Sequence, residues 1–305
     1  MKMAILPANI DQYWKIIRAG IVHAATTQLP IHDRYELLWA LYESNGVYLA
    51  QTFESDDQNA VRPLRNPTAI VVEAYAALLW AGNLDHVFQI VTQNTLLLPV
   101  IKQIFQSSNF AEQKQVVTRL TAALGNCFLK AVQDDHGMPW IQVIDPRCVV
   151  DFDRDPRGFL TFIRIDIASE RRLATGKTES FIRTEVWFKG WLRIWDHQQA
   201  WGSDLAMLGT PTVEYRYFGQ AAVTEQNKSF ALPFDAIPIV HLSLRTITGK
   251  YGQAAIQPAL DEIHEVNRMA TQINEVSIRY NKADKVLEGD GKDERGAPLA
   301  PPKMK

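Results

Sequence analysis

Residues 238–267 read "PIVHLSLRTITGKYGQAAIQPALDEIHEVN". An apolar run with β-branched residues comes first, then a loop holding Gly249 and Gly252, then apolar residues at helical spacing. Strand, glycine loop and helix in that order describe two different things. One is a phosphate-binding loop, the other a plain turn into a long helix. A Walker loop needs Gly, four residues, then Gly-Lys-Ser/Thr, so that successive backbone amides wrap a phosphate. Here Leu244 stands at the first glycine position and Tyr251 follows Gly249-Lys250. The two glycines do not form a dinucleotide fingerprint either. The stretch therefore reads as a strand-to-helix connection.

The helix it opens is the longest element in the chain. From near Ala254, the residues Ile256, Leu260, Ile263, Val266, Ala270 and Ile273 step by three or four. Asp261, Glu262 and Glu265 lie early and Arg268, Arg279 and Lys282 late, which complements the helix dipole. Glu275 and Arg279 form a favourable i,i+4 pair. Run to about Asn281, such a helix is roughly 40 Å long at 1.5 Å per residue. The tail beyond, "KADKVLEGDGKDERGAPLAPPKMK", is polar and too poor in apolar residues to fold alone.

Working back toward the N-terminus, the first 130 or so residues read as helical. In "NPTAIVVEAYAALLWAG", Asn66 can cap, Pro67 suits the first turn and Gly82 can terminate. Val71, Val72, Tyr75, Leu78 and Leu79 fall at helical spacing between them. In "DRYELLWALYESNG", Asp33 caps, Leu38, Trp39 and Tyr42 share a face, and Asn45-Gly46 stops the helix. "AEQKQVVTRLTAALGN" gives another helix, ending at Gly125. The pattern then changes to short apolar runs between turn signals. Asp135-His136-Gly137 is a hairpin turn between "FLKAV" and "WIQVI", and Lys189-Gly190 is another inside "TEVWFKGWLRIWD". "FLTFIRIDIA" and "VEYRYF" alternate as strands do. Helices first and strands after give an α+β fold, not a doubly wound sheet.

Composition bounds the function. The 305 residues are 47% hydrophobic, enough for a sizeable core. Charge is nearly balanced, 32 basic against 34 acidic residues, so a nucleic-acid contact needs a local patch or many copies acting together. Two cysteines, Cys127 and Cys148, imply a reduced setting and no disulfide framework. No apolar run approaches the 20 or so residues of a membrane span, and no membrane partner is expected.

Chemical signatures are sparse. Asp151, Asp153 and Asp155 alternate in "DFDRDPRG" as the early ligands of a calcium or magnesium loop do. Pro156 and Phe162 occupy the positions where an EF-hand needs glycine and glutamate. A solvated acidic turn and a metal site, the latter as in a metal-dependent nuclease, both fit the triplet. No histidine pair has metal-ligand spacing, no Gly-x-Ser-x-Gly elbow occurs, and no cofactor is implied. Trp187, Trp191 and Trp195 on the second hairpin are packing residues or a base-stacking ladder.

Four stretches, in order along nearly the whole chain, resemble bacteriophage portal proteins of tailed phages of Gram-positive hosts and cyanobacteria. They are "RYELLWALYESNGVYLAQ", "RPLRNPTAIVVEAYAALLWAG", "LGNCFLKAVQDDHGMPWIQVIDPRCVVDFDRD" and "AIPIVHLSLRTITGKYGQAAIQPALDEIHEVNRM". The third carries Ile-Asp-Pro after a turn, and the last carries Ile-Pro-hydrophobic-Val-His, a glycine loop, then a helix with a central Asn. Gln253 departs from the serine usual after the second glycine. The resemblance implies an elongated α+β subunit. Its wing would be helical over residues 1–135 and β-rich over 136–253. A stem helix would cover 254–281, and a clip would begin over 282–305. A second stem helix and a crown follow in the family, so a truncated, split or unusually short subunit is expected here.

The function implied is structural and not enzymatic. Copies would form a homo-oligomeric ring, a dodecamer, at one vertex of the virion, assembled first in the host cytoplasm. The ring would be the channel for DNA packaging and genome ejection, as the head-tail connector. Its partners would be the terminase, the major capsid protein, a neck or adaptor protein, and double-stranded DNA bound without sequence preference. Ile256, Leu260, Ile263, Val266 and Ile273 would make the subunit interface of the stem, on two apolar edges. Lys282, Lys285, Lys292 and Arg295 would line the DNA channel, unless they belong to an ordinary solvated tail with Asp284, Glu288, Asp290, Asp293 and Glu294. The alternatives are a nuclease using Asp151, Asp153 and Asp155, or another adaptor or scaffold protein of the virion.

Overall fold

The structure is a computed structural model. It describes residues 30–44, 66–79, 93–94, 96–133, 137–172, 176–217, 229–232, 236–246 and 249–283. Among the described residues four helices come first: α1 (Ile31–Tyr42), α2 (Thr68–Leu79), α3 (Leu97–Ser107) and α4 (Phe110–Leu124). Asn66 caps α2 as its sequence suggests, accepting from the Thr68 amide at 3.0 Å. Its own amide donates to Leu41 O and Ser44 Oγ, tying the start of α2 to the end of α1. Asp33 is not the cap of α1. Pro30, in extended conformation, ends the preceding chain there, and Asp33 falls in the first turn, where its charge still favours the dipole. Leu78 and Leu79, which share the helical spacing of α2, are 81% and 56% exposed. Asn45-Gly46 and Gly82 lie outside the described residues. Gly125 ends α4 with φ +81°, its amide bonded to Thr121 O at 2.9 Å.

Nine strands follow among the described residues: β1 (Asn126–Gln133), β2 (Pro139–Ile144), β3 (Val149–Arg154), β4 (Leu160–Arg172), β5 (Thr178–Phe188), β6 (Trp191–His197), β7 (Val213–Tyr217), β8 (Ser229–Leu232) and β9 (Ile239–Ser243). They form two sheets, β2-β1-β9 and β3-β4-β5-β6-β7-β8. All pairs are antiparallel except β7–β8. Both hairpins read from turn residues exist. Gln133 pairs with Pro139 and Phe188 with Trp191, and Gly137 and Gly190 supply positive φ. Asp135 and His136 lie outside the described residues. The first hairpin spans the boundary drawn at 135/136, so helical and β-rich parts share a sheet. The chain is thus α+β.

Strand alternation explains the layering. Cys127, Leu129, Val143 and Leu242 face α1, α2 and α4, in one core with Tyr35, Leu38, Val72, Leu120 and Leu124. Phe128, Ile144 and Ile239 face the opposite way, against Phe152, Ile163, Ile165, Trp187, Leu192 and Ile194 of the large sheet. The small sheet is therefore the middle layer between helices and large sheet. Lys130 of β1 crosses to Glu185 of β5 in a pair whose side chains are 11% and 10% exposed.

After β9 the chain returns to the first core. Ala254, Ile256 and Leu260 are buried in it. A 3₁₀ turn, Gln257–Ala259, carries Pro258, and α5 (Leu260–Ala283) begins only then. The helix opens six residues later than apolar spacing suggests, because the start of that pattern is spent on packing against α4. Ala255 N donates to Ala122 O at 2.8 Å.

Candidate functional site

The segment between β9 and α5 is where the sequence and the fold meet. Two glycines press together: a Cβ on Gly252 would overlap Gly125 O and come within 2.8 Å of Leu244 O. A Cβ on Gly125 would in turn lie 2.7 Å from Gly252 O. Glycine is required at both positions because backbone meets backbone there. Leu244 N donates to Gly125 O at 2.9 Å and Gln253 N to Leu244 O at 2.8 Å.

Asn126 is the polar centre of this joint and is fully buried. Its Oδ1 accepts from Gly252 N at 2.8 Å and faces His241 Nε2 at 2.9 Å, and its Nδ2 donates to the Tyr35 hydroxyl at 2.9 Å. One amide so holds α1, β9 and the glycine loop together. The contact fixes the His241 tautomer: Nε2 carries the proton, and Nδ1 is buried without a hydrogen-bond partner among the described residues. The ring is stacked on Phe128 at 4.7 Å and tilted against Phe152 at 4.7 Å. Burial, with Arg154 nearby, lowers the His241 pKa to about 4. Burial also drives the Tyr35 hydroxyl well above its ordinary value. No motif marks Asn126, and the sequence alone does not single it out.

A second grip is ionic. Lys250 pairs with Asp151 and lies 3.4 Å from Asp153, while Arg154 Nη2 donates to Gly249 O at 3.1 Å and Lys250 O at 2.8 Å. Partial burial opposes the charge on Lys250, yet Asp151 and Asp153 hold its pKa above the ordinary value. Asp155 takes other partners. It accepts from Arg157 N and Phe159 N, both at 2.9 Å, and closes its own turn. The triplet is thus divided between a lysine and a β-turn. Among the described residues no group of three His, Cys, Asp or Glu is arranged to hold a metal ion.

The other candidates separate in the same way. Trp187 and Trp195 are buried, donating to Glu185 and to Gly209 O, so they pack. Trp191 is half-buried, with the Arg193 guanidinium 4.2 Å from its ring. Burial pushes the Cys127 and Cys148 thiols up to about 12, far from a nucleophilic thiolate. A cleft of about 500 Å³ lies between α2, α4 and β9, lined by Tyr75, Val117, Thr121, His241 and Leu242 among others.

The five stem residues divide. Ile256 and Leu260, each 2% exposed, belong to the subunit's own core, and Ile263 is intermediate. Val266 and Ile273 are 46% and 68% exposed, and Met269 and Val276 join them at 45% and 51%. At about 100° per residue these four share one stripe, within about 80° of arc. Met269 and Val276 continue the three- and four-residue spacing that places Val266 and Ile273 on this face. Lys282 lies on the last turn of α5, whereas Lys285, Lys292 and Arg295 lie outside the described residues. No helix among the described residues is long and apolar enough to cross a membrane. Compared with models of known protein families and with curated proteins, the chain matches none.

Proposed function

We propose that this chain is a portal-type subunit, one copy of a ring at a capsid vertex through which double-stranded DNA is packaged and ejected. The observation that carries the proposal is α5. Beyond Leu260, Val266, Met269, Ile273 and Val276 stand exposed along one stripe. A 24-residue helix spans about 36 Å at 1.5 Å per residue. An apolar stripe on a projecting helix is stabilised by a surface of like character. In a head-to-tail ring each copy presents two different surfaces, and the stripe is one of them. The α+β body is then the wing and the Gly125–Gly252 joint the point where wing passes into stem.

The family resemblance supplies the rest of the proposal. The clip follows α5, docking terminase during packaging and a neck or adaptor protein afterwards, and the wing meets the major capsid protein. DNA in such a channel is held through phosphates alone, without base readout. Lys282, at the end of α5, is the first of the proposed channel cations, and copying it around an axis makes a positive ring.

Sedimentation velocity on the purified chain tests this reading. Wild type sediments as a large closed oligomer, and Val266→Glu with Ile273→Glu sediments as a folded monomer with an unchanged circular dichroism spectrum. Identical sedimentation of wild type and double variant overturns it.

A further inference from the structure

We propose that the joint between the body and α5 is an acid-released lock, with His241 as its trigger and Asn126 as its bolt. The lock is visible in its hydrogen bonds. Asn126 Oδ1 is shared between Gly252 N at 2.8 Å and His241 Nε2 at 2.9 Å. Four backbone amides, Leu244, Gly252, Gln253 and Ala255, are held to Gly125, Asn126, Leu244 and Ala122 in one connected set. Together with the burial of Ala254, Ile256 and Leu260 in the first core, that set positions the start of α5.

The trigger lies in the unpaired atom. His241 Nδ1 is buried with no acceptor among the described residues. A proton arriving there becomes a donor without a partner and places a charge in an apolar cage of Phe128 and Phe152. The neighbours do not compensate it. From β3, Arg154 opposes the proton, and Asp151 and Asp153 on the same strand are engaged by Lys250. From β1, Lys130 is paired with Glu185. From the loop, Lys250 and Tyr251 both lie against Phe152, and from α1 the hydroxyl of Tyr35 already takes the Asn126 amide.

The sign follows from the neutral ring. With a folded pKa of about 4 against an ordinary 6.5, the unfolded or opened state binds the extra proton. The lock is fully closed above about pH 6.5 and weakens as pH falls toward 4. Solvation of the partly exposed ring limits the effect, but its direction is fixed. Opening releases the Gly252 amide and frees the angle between body and helix.

Hydrogen–deuterium exchange on the full chain, corrected for the intrinsic pH dependence of exchange, tests the lock. Between pH 7.5 and 4.5, protection at residues 244–255 falls at least tenfold. Protection within the central strands β4 and β5 holds. His241→Gln retains a donor toward Asn126 and cannot titrate, so its protection at 244–255 stays level with pH, and His241→Asn serves if the Gln variant does not fold. Lys250→Met keeps the wild-type pH response, because the ionic grip is not the trigger. The proposal is overturned if wild-type protection does not change. It is equally overturned if the histidine variants lose it as wild type does, or if β4 and β5 open together with the joint.

Discussion

The joint is most exacting at Gly252. Its backbone lies against Gly125 O and both backbone polar atoms of Leu244, so added volume displaces main chain, not a flexible side chain. Gly252→Ala is expected to destabilise the fold by about 3 kcal/mol, the upper range for overpacking, seen as a lower urea midpoint with an unchanged slope. Gly249, although at φ +107°, has open space around its Cβ position, so Gly249→Ala carries only the conformational penalty, about 1 kcal/mol. Asn126→Ala strands the Gly252 amide, the His241 Nε2 proton and the Tyr35 hydroxyl in a buried site. It is expected to cost about 3 kcal/mol or more in the same measurement. A wild-type midpoint in either Gly252→Ala or Asn126→Ala would contradict this account of the joint.

Among the elements, α5 behaves differently from the other helices. Leu260 at its start is buried in the subunit while Val266 and Ile273 are exposed, so substitutions along it separate folding from the proposed assembly. Leu260→Ala opens a cavity and is expected to cost about 2–5 kcal/mol of subunit stability. Ile273→Ala, 68% exposed, is expected to leave the thermal midpoint within about 1 °C while weakening self-association. Thermal scans beside sedimentation at the same concentration check the pair. The sequence shows most of these elements, because local chemistry decides them: Asn66 at a cap, Gly125 at a helix end, Gly190 in a tight hairpin. It misplaces the start of α5, because residues 254–259 carry helical spacing but are claimed by tertiary packing and by Pro258. It is silent on β9 returning to β1, since a pairing across 100 or so residues leaves no local trace, and on β7 running parallel to β8, a direction that strand alternation does not encode. The site itself was barely legible. Gly249 and Gly252 marked its loop, while Asn126 and Tyr35, buried polar residues without a motif, gave no signal.

Across the whole molecule, the three layers are joined by a buried ion pair as well as by apolar contact. Lys130 and Glu185 link the small sheet to the large one, with the Trp187 indole donating to the same carboxylate. Burial opposes the charge on Glu185, but Lys130 holds its pKa below the ordinary carboxylate value. Lys130→Met leaves that carboxylate uncompensated and is expected to cost about 3–5 kcal/mol, whereas Lys130→Met with Glu185→Leu recovers most of it. Chemical denaturation of the two variants side by side reads the difference. Beyond the subunit, in the proposed ring, the stripe on α5 is covered by a second copy and the copies close around an axis. Electron microscopy of the purified full chain tests that claim most directly. Closed rings with a central hole wide enough for duplex DNA are the expected result. A uniform field of single subunits at a concentration of tens of micromolar would contradict it.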